Sequence, residues 1–186
     1  MDVLRFKQAN CKNCYKCVRF CPVKSIRVYQ GHAQIISSDC ILCGNCVSVC
    51  PQHAKEDISD VGQSRELIAS GKQGVVSVDS SYIAYFDTPG FRGIEKPLKA
   101  LGFTAAHETA EGAYLVKKEL EKLAAQPGDA PIITSGCSTI VLYVEKQLPE
   151  ALPYLAPVRS PMQAHAVRLR ERYPGATIVY ISPCIS

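Results

Sequence analysis

Eight cysteines stand between residues 11 and 50 in two runs of one design, CKNCYKCVRFCP and CILCGNCVSVCP. The first supplies Cys11, Cys14, Cys17 and Cys21 before Pro22, and the second Cys40, Cys43, Cys46 and Cys50 before Pro51. Both follow C-x2-C-x2-C-x3-C-P, an internal repeat with a period of 29 residues. Two-residue gaps let one tight loop offer three thiolates to three corners of an iron–sulfur cubane, while the fourth cysteine falls on the next helical turn and faces away. In the two-cluster pattern that fourth thiolate ligates the other cluster. The spacing therefore predicts one [4Fe–4S] cluster on Cys11, Cys14, Cys17 and Cys50, and a second on Cys40, Cys43, Cys46 and Cys21. Zinc knuckles usually bring cysteines in pairs rather than in fours with a trailing proline. A disulfide framework belongs to secreted chains.

These runs resemble the bacterial two-cluster ferredoxin across residues 5 to 58. The resemblance implies outer-sphere electron transfer, because protein thiolates close all four positions of each cluster. Between the runs, SIRVYQGHAQII reads as a β-hairpin turning at Gln-Gly-His. Lys7, Lys12, Lys16, Arg19, Lys24 and Arg27 are interleaved with the cysteines and read as a solvated positive rim around an anionic group.

The whole chain has 186 residues, 47% hydrophobic and 20% charged, with a net charge of +4. That is the composition of a globular protein long enough for one domain plus a small module. No apolar run approaches the roughly 18 residues that span a bilayer, and MDVLRFKQAN lacks the apolar segment of a secretory signal. A cytoplasmic protein is expected, with no membrane insertion. A nucleic-acid reader would need more than this modest positive charge, and a solvated rim accounts for it, so no nucleic acid is expected as a partner.

The remaining elements must position Cys137 and Cys184. A linker with a short helix (SRELIASG) is expected over 59–73. GVVSVDSSYIAYF reads as a buried strand running into a polar turn, and GIEKPLKALGF as an amphipathic helix with Pro97 near its first turn and Gly102 as its cap. In ETAEGAYLVKKELEKLAAQPG, Ala110, Ala113, Tyr114, Val116, Leu120, Leu123 and Ala124 recur at helical spacing. TIVLYVEKQLPEALPYL reads as a helix ended near Pro149 or Pro153, and MQAHAVRLRERY as one opened by Ser160-Pro161. ATIVYIS reads as a buried strand. The alternation argues for an α/β domain with a mostly parallel sheet. Ligand groups in such sheets collect beyond the strands' carboxyl ends, where Cys137 after PIIT and Cys184 after IVYIS are expected.

ITSGCS, LPYLAPVRSPMQAH and ISPC resemble the catalytic domain of the [FeFe] hydrogenase large subunit, over residues 74 to 186. In that family the H-cluster is a cubane bridged through a cysteine sulfur to a two-iron subsite, with cysteines from the motifs TSCCP, MPCxxK and ExMxCxxGC. The resemblance implies that Cys137 and Cys184 are cubane ligands of a third, H-cluster-like site, and that the chain is the N-terminal part of a longer protein, ending within the second motif. It also brings departures. Gly136 stands where the family has its proton-delivery cysteine. Ser138 replaces the proline, Ile140 or Val141 the tryptophan, and Ser182 the methionine. His107, Glu108 and His165 are alternative proton carriers, although each reads first as a helix-surface residue.

The expected organisation is a two-cluster, α+β ferredoxin-like domain at 1–58, a linker at 59–73, and an incomplete α/β hydrogenase-like domain at 74–186. The expected function is an electron relay through two [4Fe–4S] clusters to or from an H-cluster-like site, served by a redox partner protein such as a ferredoxin. The alternative is a hydrogen- or redox-sensing, or plain electron-transfer, protein without hydrogen turnover. A full-length protein would be a hydrogenase-like oxidoreductase. With two of the four ligands of a third cubane, the present stretch is expected to transfer electrons and not to be catalytic.

Overall fold

The computed structural model describes residues 3–126, 128 and 130–186. Along the chain lie β1 (Leu4–Phe6), α1 (Lys16–Phe20), β2 (Ile26–Tyr29), β3 (His32–Ile35), α2 (Asn45–Ser48) and β4 (Lys55–Asp57). Then come α3 (Val61–Ala69), β5 (Gly74–Val78), α4 (Tyr82–Tyr85), α5 (Arg92–Ala100), β6 (Ala105–Glu108) and α6 (Ala110–Ala124). The last elements are α7 (Ser138–Gln147), a 3-10 helix over Pro149–Tyr154, α8 (Pro161–Arg172) and β7 (Thr177–Ile181). No described helix is long and apolar enough to cross a membrane.

The chain forms two compact units. The first comprises Met1–Ser59, Cys137–Leu155 and Cys184–Ser186, and the second Asp60–Gly136 and Ala156–Pro183. Both cysteines outside the repeat therefore group with the ferredoxin-like segment, although sequence order places them in 74–186.

In the first unit, β1 and β4 pair antiparallel with Phe6 opposite Lys55, and β2 and β3 form the expected hairpin. The hairpin turns on Gln30 and Gly31, with φ of 48° and 77°. Two successive left-handed residues make the tight turn that matches strand twist, so His32 belongs to β3 rather than to the turn. The core is small: Cys17, Cys21, Ile26, Ala33 and Cys46 are buried together, with Leu4, Val18, Val23, Ile35 and Val47 against them. Helix α7 is fastened to the second cysteine run by Lys146, whose ammonium donates to the carbonyl of Cys40 at 2.7 Å. Ile185 packs beside Gly44, where an added Cβ would stand 3.2 Å from the Ile185 Cδ1.

The second unit is a parallel sheet in the order β6-β5-β7. Every residue of the central β5 is buried, and its pleat divides them between two cores. Val76 and Val78 join Tyr82, Leu98, Phe103 and Ala106 on one face. Val75 joins Ala105 and Leu169 on the other. Helix α8 opens with a capping box in which the Ser160 hydroxyl accepts from the Gln163 amide and the Gln163 side chain accepts from the Ser160 amide, a pairing that satisfies two orphan donors.

Several expectations change. AAHE forms β6, a strand the pattern did not reveal. PIIT forms no strand: Ile133 makes only an isolated bridge, its carbonyl accepting from the Ala156 amide at 2.8 Å. Cys137 therefore caps the start of α7 instead of following a strand. Strand β7 is half-exposed, as one with a single neighbour must be. Pro97 lies inside α5, one turn beyond the expected place. In α6 the buried positions are Gly112 and Val116, while Tyr114 is 57% exposed. The inward face is set by where α8 crosses, and α8 crosses at the glycine.

Candidate metal centre

The two cysteine runs share a backbone as well as a spacing. Left-handed residues recur at Asn13 and Leu42, at Tyr15 and Gly44, and at Lys24 and His53, each pair 29 positions apart. For a side chain such as that of Leu42 or Tyr15 this conformation costs about 1–2 kcal/mol. The matched left-handed positions show that the two loops follow the same backbone course. The turns aim amides at sulfur: the Leu42 N–H donates to Cys40 Sγ at 3.4 Å, and the Ala54 N–H to Cys50 Sγ at 3.3 Å.

Cys21, Cys40, Cys43 and Cys46 line one cavity, with Pro22, Ile26 and Ile35 among its apolar walls. The fourth cysteine of the first run thus faces the same space as the first three of the second. The other predicted set is more open. Cys17 is buried in the core with Cys21 and Cys46, Cys11 and Cys50 are half-buried, and Cys14 is exposed. The Cys14 thiol lies 3.7 Å from the side-chain oxygen of Gln52, two residues past Cys50. Cys137 and Cys184 are both exposed and do not line the cavity.

The electrostatics suit a polynuclear cation. Burial pushes the Cys46 thiol up to about 11; Lys55 opposes this, and the neighbouring thiolates of Cys40, Cys43 and Cys17 push further upward. Four crowded thiolates repel one another until a metal takes their protons' place. Cys50 behaves differently. Burial raises it, but the amides of Ala54, Gln52 and Lys55 and the Lys55 ammonium together hold it below the usual thiol range. The donor set and the buried Lys55 side chain, 2% exposed, fit an anionic iron–sulfur cluster.

The histidines are not surface residues of helices. His107 is on β6, with Nε2 2.9 Å from the Tyr173 hydroxyl. His165 is fully buried in α8, its Nδ1 2.8 Å from the Ser77 hydroxyl, which lies 2.8 Å from that of Thr109. Burial lowers both histidine pKa values, aided at His107 by Arg172 and opposed at both by Glu111. The unfolded chain then takes up protons below about pH 6.5 that the folded chain refuses. Stability is full above that pH and declines as pH falls toward the lower folded values. Amide exchange in β5 and α8, corrected for intrinsic rates, is expected to accelerate from pH 7 to 5, and a flat profile would contradict this.

Gly136 is not demanded by packing. A Cβ there would meet only Pro161 Cδ, at an ordinary 3.8 Å.

The profile of the iron-only hydrogenase large subunit, C-terminal domain, matches residues 75–186, more than half the chain. The chain belongs to that family. A 4Fe-4S dicluster domain matches residues 4–51, so a dicluster segment precedes the hydrogenase-like one. Two similar proteins are the cytosolic Fe-S cluster assembly factors NAR1 of Lodderomyces elongisporus and Candida dubliniensis. The first is 29% identical over 185 residues, 82% of this chain and 31% of that protein. The second is 27% identical over 143 residues, 70% of this chain and 24% of that protein. The ferredoxin-like part is 42% identical over 55 residues to a component of the ion-translocating oxidoreductase complex of Methanosarcina acetivorans, 30% of this chain and 21% of that one. A solved [FeFe]-hydrogenase chain superposes with a TM-score of 0.54 at 24% identity, over 68% of this chain and 39% of that one. This last likeness concerns the fold alone. The chain thus spans about a quarter to a third of the assembly factors it matches.

Proposed function

We propose that this chain is the iron–sulfur electron-transfer part of an iron-only hydrogenase-like protein, holding two [4Fe–4S] clusters. Cys11, Cys14, Cys17 and Cys50 are the ligands of one, and Cys40, Cys43, Cys46 and Cys21 of the other. The convergence of Cys21 with Cys40, Cys43 and Cys46 on one cavity is the observation that carries the reading. When bound, each cluster supplies one reversible electron at low potential. The chain's own contribution is to exclude water with the Cys17–Ile26–Ala33 core, to donate amides to the sulfurs of Cys40 and Cys50, and to hold the two ligand loops together. The electron source or acceptor is a redox partner protein in the cytoplasm. Cys137 and Cys184 are ligands toward a third, H-cluster-like site.

A second reading is favoured by Gly136 and by the likeness to proteins named as cytosolic Fe-S cluster assembly factors. Without an ionisable group at the proton-delivery position, the protein handles or senses electrons, or serves cluster assembly, without turning over hydrogen.

Anaerobically reconstituted protein is expected to bind about eight irons and eight sulfides per chain and to show two interacting reduced-cluster signals by EPR. About four irons, or zinc in their place, would overturn the two-cluster assignment. Hydrogen–deuterium exchange above a Cys137→Ala control, after maturation with H-cluster assembly machinery, would favour turnover over the second reading.

A further inference from the structure

Among the described residues, one lysine is buried without an opposite charge. Lys55 opens β4 opposite Phe6 and is 2% exposed. Its ammonium donates to the Ala33 carbonyl at 3.2 Å and lies 4.4 Å from the centre of the Phe6 ring. Among the described residues no carboxylate lies within ion-pair distance of it. The next residue, Glu56, alternates to the other face of the strand and pairs with Lys7 instead.

A carbonyl and a ring face satisfy an ammonium only in part, and burying an unneutralised cation is strongly unfavourable. The missing negative charge must come from the surroundings. Ala33, which receives the ammonium, packs in one core with Cys17, Cys21 and Cys46. Ala54, the residue before Lys55, donates its amide to Cys50 Sγ. Lys55 is thereby placed beside cysteines of both proposed ligand sets.

We propose that Lys55 is the shared internal counter-cation of the two iron–sulfur clusters and sets how readily both are reduced. The inference rests on the two-cluster reading above. A cluster held by four thiolates is anionic, and each electron it accepts from a one-electron donor adds a further negative charge. A fixed cation in a dry core lowers the cost of that charge, and net charge is one of the determinants of cluster potential. One lysine near both sites would raise both potentials together.

The test is a redox titration, followed by EPR, of wild type, Lys55→Met and Lys55→Arg, each with its iron count. The methionine keeps the length and apolar stem of lysine without its charge. With about eight irons bound, Lys55→Met is expected to make both reductions at least tenfold less favourable, a downward shift of about 59 mV for a one-electron couple. Lys55→Arg is expected to stay near wild type. Unchanged potentials in a fully loaded Lys55→Met protein would overturn the inference while leaving the two-cluster reading intact. A wild type lacking eight irons would remove that reading itself, and the inference with it. If Lys55→Met loads no iron, Lys55→Arg decides. Normal loading there means the charge is required by the clusters, whereas loss there too means that side-chain shape is required and the counter-cation role falls.

Discussion

Cys17→Ser is expected to cut bound iron from about eight to about four per chain or fewer. Serine matches the thiol in shape, so packing loss is small and the effect reports ligation. Cys17 is buried against Cys21 and Cys46, and on the proposed assignment Cys17 belongs to one cluster and the other two to its neighbour. The loop carrying Cys17 also carries Cys21, a ligand of the other site. Losing the first cluster therefore removes the restraint that holds Cys21 against the cavity it shares with Cys40, Cys43 and Cys46. The remaining cluster is expected to be lost faster under a chelator than in wild type, and the EPR interaction between the two to vanish. Iron content and EPR identical to wild type would refute the ligand assignment.

Gly112→Ala is expected to destabilise the second unit by about 2 kcal/mol or more. A Cβ at this position would stand 2.1 Å from the Pro161 carbonyl oxygen, 2.7 Å from His165 Cβ and 2.9 Å from the His165 amide nitrogen. Two of those atoms are backbone, so no rotamer change relieves the contact and α8 must move away from α6. Overpacking of this kind costs about 3 kcal/mol, against about 1 kcal/mol gained from replacing glycine within a helix. The net sign is unfavourable. The displacement would also draw His165 from Ser77, leaving buried polar groups unpaired. Denaturant unfolding followed by helix signal gives the magnitude. Gly62, which has nothing within 4 Å of its Cβ position in α3, is the control: Gly62→Ala is expected to be neutral or slightly stabilising. Equal effects at the two glycines would show that helix propensity, and not the α6–α8 crossing, governs the site.

These two positions differ in how far the sequence discloses them. The cysteine runs are local. Ligand spacing within a loop of about a dozen residues is dictated by the group it wraps, so the repeat, the dicluster segment and the hairpin between the runs were legible without coordinates. The α8 cap was legible for the same reason, since Ser160, Pro161 and Gln163 act within one helical turn. The resemblance to the hydrogenase family also rested on short motifs, and the match over residues 75–186 bears it out.

What only the tertiary structure decided depends on which surfaces meet. AAHE has four residues and a polar end, too little pattern for a strand, and it became β6 because β5 offered an edge. Ile132 and Ile133 look like a strand but found no neighbour beyond the Ala156 amide. The helical spacing in α6 pointed to Val116, which is buried, but also to Tyr114, which is exposed, and it missed Gly112, which the close crossing of α8 selected. His165 has the sequence context of a surface helix and lies fully buried because Ser77 and Thr109 receive it across the sheet. Lys55 was the least legible. A lysine among exposed charges reads as solvated, and only the packing of β4 against Phe6 and Ala33 turns it into a buried cation beside the cysteines. Periodicity and spacing reveal what a segment does with its own neighbours; burial of a single residue is a property of the partners that the rest of the chain brings to it.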